Sequence, residues 1–155
     1  MPRLTFIILS CFFYYTVPAQ DFIGDKRQKV RKNFEKYLQD NGASNRFIET
    51  DSSLVLAFRN PQFKPVDFTF LFDSEDKCIA EIRTGCDTCV ANYLQQALDK
   101  GAYQWKQTGK VQFLSNSRFR LSMEVFAEKT ETTLVIRKLA LNRRDYLKLL
   151  KQHKD

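Results

Sequence analysis

Apolar side chains recur every three to four residues in three parts of the chain, and this spacing predicts three helices. The first helix covers residues 25–41. The second begins after Gly85, where Asp87 can act as its N-cap, and ends at Gly101. The third begins at a cap formed by Asn142. The apolar residues of the three helices are Val30, Phe34, Tyr37 and Leu38, then Val90, Leu94, Ala97 and Leu98, and finally Tyr146, Leu147, Leu149 and Leu150.

Between the helices the apolar pattern alternates with a period of two, which predicts strands. Four strands precede the second helix, in residues 46–50, 53–58, 66–73 and 77–83. The third of them has Val66, Phe68, Phe70 and Phe72 on one face. The fourth has Cys78, Ala80 and Ile82 on one face. The strands that follow the second helix lie in residues 102–107, 110–114, 118–128 and 132–141, and the first two of these can also form one long bent strand.

The predicted order is helix, four strands, helix, three or four strands and helix. Because strands joined by hairpins pair antiparallel, this order favours an α+β domain with two layers. We expect one antiparallel sheet of about six to eight strands, with the helices packed on one face. Residues 21–155 are enough for a single domain with its own core and too few for two.

The first twenty residues have the composition of a secretory signal peptide. Arg3 is followed by a run without charge from Leu4 to Val17 and then by Pro18-Ala19-Gln20. The run is shorter than the roughly 20 residues that span a bilayer as a helix. We therefore expect residues 1–20 to be removed, no transmembrane segment after cleavage, and export to the periplasm or beyond it in a bacterium. An uncleaved anchor, or a lipid anchor through Cys11, is the alternative.

The chain is basic, with 25 Lys and Arg against 18 Asp and Glu and a formal net charge of +7. Cleavage removes Arg3 and no acidic residue, so the mature charge is one unit lower, at +6. The cations recur in residues 26–36 and 137–154, where a solvated helix face is the simplest interpretation. An anionic macromolecule or an envelope protein is the partner that such a face would favour, and the exported location disfavours nucleic acid. The candidate binding residues of the last helix are Arg143, Arg144, Lys148 and Lys151.

Two aromatic residues are further binding candidates. Tyr103 and Trp105 alternate on one face of a predicted strand, and an exposed pair of such rings suits stacking on a sugar or a peptide. Aromatic rings are also the usual filling between a sheet and its helices, so core packing is the simpler interpretation.

Cys86 and Cys89 stand two residues apart where the second helix begins. In an oxidising compartment, a disulfide that pins the start of the helix is the favoured interpretation. The order strand, Gly, C-x-x-C, helix resembles the active site of thioredoxin-like proteins, and a helix N-terminus stabilises a thiolate. A thiol-disulfide redox pair is therefore the alternative. Cys78 is expected to be a buried, unpaired thiol, although its pairing with Cys86 or Cys89 stays open.

Other chemistry has little support in the sequence. A zinc site needs four ligands, or three and a water, and the only His, His153, lies in a charged tail. Glu81, Glu124 and Glu128 lie on predicted strands and could in principle face one another as an acid–base pair. Outward-facing, solvated carboxylates are the simplest interpretation. We therefore predict no metal and no cofactor, and a non-enzymatic binding or interaction module of the cell envelope. A redox protein that uses Cys86 and Cys89 is the alternative function.

Overall fold

An eight-stranded antiparallel sheet and three helices form the part of the chain that the computed structural model describes, residues 22–40, 44–59 and 66–153. The helices are α1 (Arg27–Asp40), α2 (Asp87–Leu98) and α3 (Arg143–Gln152). The strands are β1 (Ser44–Glu49), β2 (Ser53–Arg59), β3 (Val66–Phe72), β4 (Cys78–Gly85), β5 (Lys106–Gly109), β6 (Gln112–Leu114), β7 (Leu121–Ala127) and β8 (Thr132–Lys138). The α+β class and the order of elements confirm the prediction, with two short strands where one long strand was the alternative.

The sheet consists of two antiparallel meanders joined side by side. Its strand order is β1-β2-β3-β4-β8-β7-β6-β5, so β4 and β8 are the strands that join the two halves. The second helix, α2, connects one half of the sheet to the other. The join therefore depends on side chains of β4, β8 and α2.

Alternating phenylalanines of β3 form the centre of the first hydrophobic cluster. Phe68 and Phe70 are buried at 3% and 1% exposure, as the alternating pattern predicts. The ring of Phe34, on α1, lies 5.4 Å from that of Phe68 and 5.0 Å from that of Phe70. Phe22 contacts Phe70 with an edge-to-face geometry at 5.4 Å. The chain before α1 is thus part of the core.

The second cluster lies between α2 and the other half of the sheet. Val90 and Ala97 of α2 pack with Met123 of β7 and with Leu134 and Ile136 of β8. Opposed residues of antiparallel neighbours share a face of the sheet. Pairs of opposed residues link β3 to β4 and β4 to β8. The residues of β3 that contact α1 and the residues of β8 that contact α2 are therefore on one face of the sheet, and both helices cover that face.

A β-bulge at Ile79 reverses the predicted faces of β4. Phe72 is opposite Cys78 but Leu71 is opposite Ala80, which leaves Ile79 without a partner. Cys78 therefore faces the core with Phe72, whereas Ala80 lies on the other face. The prediction that Cys78, Ala80 and Ile82 share one face is wrong for this reason.

Backbone hydrogen bonds from the chain before α1 hold the start of β4. The N–H of Gly24 donates to the carbonyl of Cys78 at 2.7 Å, and the N–H of Cys78 donates to the carbonyl of Asp25 at 2.8 Å. Gly24 has a φ of 92°, which favours glycine over residues with a side chain. These bonds lie next to the bulge, where the regular ladder between β3 and β4 is interrupted.

The third helix is anchored at the β6–β7 end of the sheet. The side chain of Asn142 accepts the N–H of Asp145 at 2.9 Å, which confirms Asn142 as the N-cap. Tyr146 is fully buried, and its hydroxyl donates to the carbonyls of Ser115 and Leu121 at 2.9 and 3.0 Å. Burial raises the pKa of Tyr146, so the hydroxyl keeps its proton at neutral pH.

Several predictions from the sequence fall outside the described residues. They concern the signal peptide of residues 1–20, the lipid anchor at Cys11, the helix stop at residues 41–42 and the side chains of Tyr37 and Leu38. Within the described ranges, no helix is both long and apolar enough to cross a membrane.

Candidate functional site

The exposed face of α3 contains all four cations that were predicted from the sequence as candidate binding residues. With about 100° between successive helical residues, Arg143, Arg144, Lys148 and Lys151 fall within an arc of about 140°. All four are exposed, whereas Tyr146 on the opposite side is buried. Because Tyr146 fixes the rotation of the helix, the cations point away from the domain. We name this surface the α3 basic face.

Little negative charge offsets the α3 basic face. Lys148 pairs with Asp145 at 3.2 Å, and within the described residues it is the only one of the four cations with an ion pair. The hydrogen bond from Lys148, together with one from Asn142, holds the pKa of Asp145 below its usual value. Asp145 is therefore ionised at neutral pH, and the other three cations keep their charge available to a partner.

The two arginines of α1 are arranged differently. Arg27 pairs with Asp76 at 2.6 Å and with Glu49 at 3.5 Å, and Arg31 pairs with Glu35 and Glu49. The guanidinium of Arg27 also donates to backbone carbonyls of the β1–β2 turn. These arginines hold α1 to the sheet, so much of their charge is already used inside the domain.

Electrostatics within α3 does not account for Arg143 and Arg144. They are the first two residues of the helix, where the positive end of the helix dipole disfavours a cation by about 0.3–1 kcal/mol each. Lys151, in the last turn, is stabilised by the same dipole. The arginine pair thus lowers the stability of the helix, and helix stability alone gives no reason for it.

Two more cations lie at the same corner of the domain. Tyr146 reaches the carbonyl of Leu121, and the N–H of Leu139 donates to the carbonyl of Arg120 at 2.9 Å. These bonds bring α3 next to the β6–β7 loop and the end of β8, where Arg118 and Lys138 are exposed. The sequence did not nominate these two residues, because their proximity to α3 depends on the pairing of β7 with β8.

Cys86 and Cys89 lie together at the N-terminus of α2. Their sulfur atoms are 2.20 Å apart, which is disulfide distance. Cys86 is the N-cap, and its Sγ accepts the N–H of Cys89 at 3.2 Å. Asp87 was predicted as the cap, but its carboxylate instead accepts the hydroxyl of Thr132 at 2.6 Å. Cys86 therefore replaces Asp87 as the cap, since the tight C-x-x-C turn directs Sγ at the free N–H.

Cys78 lies in the core, where its Sγ donates to the carbonyl of Ala80 at 3.5 Å. It has no solvent exposure and belongs to the first hydrophobic cluster with the phenylalanines of β3. The cysteines nearest to it in sequence, Cys86 and Cys89, are paired with each other. The arrangement agrees with the expected pairing.

Tyr103 and Trp105 precede β5 and do not lie in a strand, so their predicted strand placement is wrong. Gln104 between them has a φ of 48°, which breaks the extended backbone. The Trp105 indole N–H donates to the carbonyl of Ala97 at 2.9 Å, and the ring of Tyr103 contacts that of Phe119 at 4.7 Å. Both rings are half-buried and pack on the second cluster. A role for them in binding a ligand stays a prediction.

Glu81 and Arg83 form a buried ion pair that sequence reasoning missed. Glu81 was expected to point to solvent, but the bulge at Ile79 turns it and Arg83 toward the core, with 2% and 6% exposure. Their side chains meet at 3.2 Å, and Glu81 also accepts the backbone N–H of Phe22. The Arg83 guanidinium lies 4.7 Å from the ring centre of Tyr93. The bulge could not be read from the alternating pattern.

The three strand carboxylates do not form an acid–base pair. Glu81 is on the covered face, whereas Glu124 is on the opposite face and pairs with Arg137 at 3.1 Å. Glu128 is exposed at the end of β7. Among the described residues, no group of three His, Cys, Asp or Glu side chains is placed to hold a metal ion.

Comparisons with known proteins identify no relative. No protein-family model matches the chain, and no curated protein or solved structure matches it either. The α3 basic face and the cysteine pair are therefore assessed by their own geometry. Of the two, the α3 basic face is the more exposed, since its four cations are all exposed and Cys86 and Cys89 are half-buried. It also has the less obvious structural purpose.

We predict that Cys86 and Cys89 are oxidised and Cys78 is reduced in the mature protein. Peptide mapping without a reducing agent should find a peptide that contains the Cys86–Cys89 bond. In the folded protein, Cys78 should resist alkylation because it is buried, and it should react after unfolding. Free thiols at both positions 86 and 89 would contradict the assignment.

We also predict that Glu81 and Arg83 stabilise the fold only as a pair. Either Glu81→Ala or Arg83→Met should lower the free energy of unfolding by about 3–5 kcal/mol, because the remaining charge is buried without its partner. The double variant E81L/R83M should be more stable than either single variant. Urea denaturation measures all three.

The exposed pair Glu124–Arg137 supplies the matched control for this cycle. The side chain of Arg137 is 52% exposed, so Glu124→Ala should cost less than about 1 kcal/mol. Equal losses for Glu81→Ala and Glu124→Ala would show that burial does not determine the effect.

Proposed function

We propose that the protein is an exported, non-enzymatic binding module of the bacterial cell envelope that binds an anionic macromolecule through the α3 basic face. The observation that carries the proposal is the arc of four exposed cations, of which only Lys148 is paired with a carboxylate, Asp145, within the part of the chain that the structure describes. The position of Arg143 and Arg144 at the unfavourable end of the helix dipole adds to it.

The reach of such a surface is limited by salt. The Debye length is about 8 Å at physiological ionic strength, so only charges of a partner that contacts the face are attracted strongly. Arg118 and Lys138 are exposed at the same end of the sheet as the helix and add positive charge there. Affinity that comes from such exposed charges is expected to fall steeply as salt is added.

The variant R143E/R144E tests the proposal by changing binding and stability in opposite directions. Retention on immobilised heparin, used as a polyanion probe, should fall at least about tenfold because two cations become repulsive. Thermal stability should stay equal or rise, because Glu in the first turn is favoured by the helix dipole. The two measurements together separate a binding role from a structural one.

The control is K110E/K129E, which makes the same change in net charge at exposed lysines outside α3. It should keep most of the heparin retention of the unchanged protein. Equal losses in both variants would mean that net charge alone causes retention and would contradict the proposal. A pulldown from envelope extract at low and high salt then searches for the natural partner.

Export is the second part of the proposal and has its own test. Cleavage after Ala19 or Gln20 should give a secreted product that starts at Gln20 or Asp21, which intact-mass measurement identifies. A mature protein that keeps Met1 would contradict export by cleavage, and a lipid-modified Cys11 would indicate the anchored alternative.

A thiol-disulfide redox protein is the second candidate function. The observation that favours it is the position of Cys86 at the N-cap of α2, where the free N–H groups and the helix dipole stabilise a thiolate. The neighbouring Asp87 opposes this effect through its negative charge. Catalysed reduction of insulin in the presence of dithiothreitol would support the redox function, and the variant C86S/C89S is the control. Turnover without any retention on heparin would replace the binding proposal.

A further inference from the structure

Two leucines at α3 leave more than a third of their surface exposed to solvent. Among the described residues, five large hydrophobic side chains are exposed, and Leu141 and Leu147 are two of them, at 37% and 40%. Leu147 is about 100° around the helix from the buried Tyr146, so it cannot turn toward the core. The domain itself therefore does not explain the apolar character of this position.

Leu147 lies at the centre of the α3 basic face. Arg143 is one turn before it and Lys151 one turn after it, while Arg144 and Lys148 flank it on the other side of the arc. An exposed leucine among four cations contributes no binding free energy with a soluble polyanion, because the charges of the polyanion contact the cations alone. It does contribute binding free energy with a partner that presents negative charge above an apolar layer.

We infer that the α3 basic face docks on the surface of an anionic phospholipid bilayer, with the cations at the phosphate groups and Leu147 at the boundary of the acyl chains. This inference rests on the proposed function, of which it names the partner. Basic residues near an anionic leaflet and apolar side chains that enter the interface are the two contributions that hold peripheral proteins to membranes.

The anchoring of α3 limits how deeply it can enter. Tyr146 holds the inner side of the helix against the carbonyls of Ser115 and Leu121, so the helix cannot roll its whole apolar side into lipid. Only the outer arc with Leu147, and Leu141 just before the helix, can reach the membrane. The contact should therefore be shallow, reversible and dependent on anionic lipid.

The test is binding of the full mature protein to vesicles of phosphatidylcholine alone and of phosphatidylcholine with phosphatidylglycerol, measured by cosedimentation at low and high salt. Binding is expected only with phosphatidylglycerol, and it should weaken as salt is added. Leu147→Gln should reduce vesicle binding by about five-fold, as expected for a leucine that is partly transferred from water. The same variant should keep its retention on heparin.

Val111→Gln is the matched control, because Val111 is exposed to a similar degree, 44%, and lies outside α3. It should bind vesicles like the unchanged protein. Circular dichroism verifies that both variants are folded. As an independent measurement, the fluorescence of Leu147→Trp should shift to the blue on addition of phosphatidylglycerol vesicles, because the indole leaves water.

The outcomes separate this inference from the proposed function. Retention on heparin without binding to phosphatidylglycerol vesicles would overturn the membrane inference and leave the proposed function standing. If the unchanged protein binds neither heparin nor phosphatidylglycerol vesicles at low salt, the membrane inference and the proposed function are both overturned. Vesicle binding that is equal in Leu147→Gln and the unchanged protein, with no blue shift in Leu147→Trp, would also overturn the membrane inference.

Discussion

The buried ion pair between Glu81 and Arg83 is the interaction on which the arrangement of the sheet depends. It lies on β4, the strand where the first meander meets the second, and it separates the two hydrophobic clusters. A charged pair inside a core is stable only if each partner stays satisfied. Glu81 meets this condition by also accepting the N–H of Phe22. Arg83 meets it only in part: Nη2 donates to Glu81 and the guanidinium stacks on Tyr93 of α2, whereas Nε and Nη1 have no hydrogen-bond partner among the described residues. The pair thus ties the chain before α1 and the second helix to the same strand.

The same region fixes the positions in which α1 and α2 pack on the sheet. Tyr93 packs against both clusters, and the close cysteine pair holds the start of α2 next to the end of β4. Since a C-x-x-C bridge closes a very short loop, its effect is local: it orients the first turn of the helix. The cysteines and the ion pair therefore both lie at the join between the two halves.

The proposed binding surface is separate from this join. The α3 helix is attached through Tyr146 at the β6–β7 end, and its outer arc makes no contribution to the two main clusters. Arg27, which holds α1 to the sheet, is paired with carboxylates. Arg143 and Arg144 are instead exposed at the N-terminal end of α3, where the positive end of the helix dipole disfavours a cation. This contrast, more than the net charge of the chain, is what distinguishes a binding surface from an ordinary solvated face.

The sequence by itself determined the three helices, the order of the strands and the cap at Asn142, because these depend on periodicity and on residues close in the chain. The strand predicted at residues 102–107 is the exception, since β5 begins at Lys106. It also identified the four cations of α3 and the proximity of Cys86 to Cys89. Only the tertiary structure decided that Glu81 and Arg83 face the core, since one unpaired residue, Ile79, inverts the pattern downstream of it. The exposure of Leu147 was likewise undetermined, because an apolar residue on a short helix shows which side is buried only after Tyr146 has fixed the rotation.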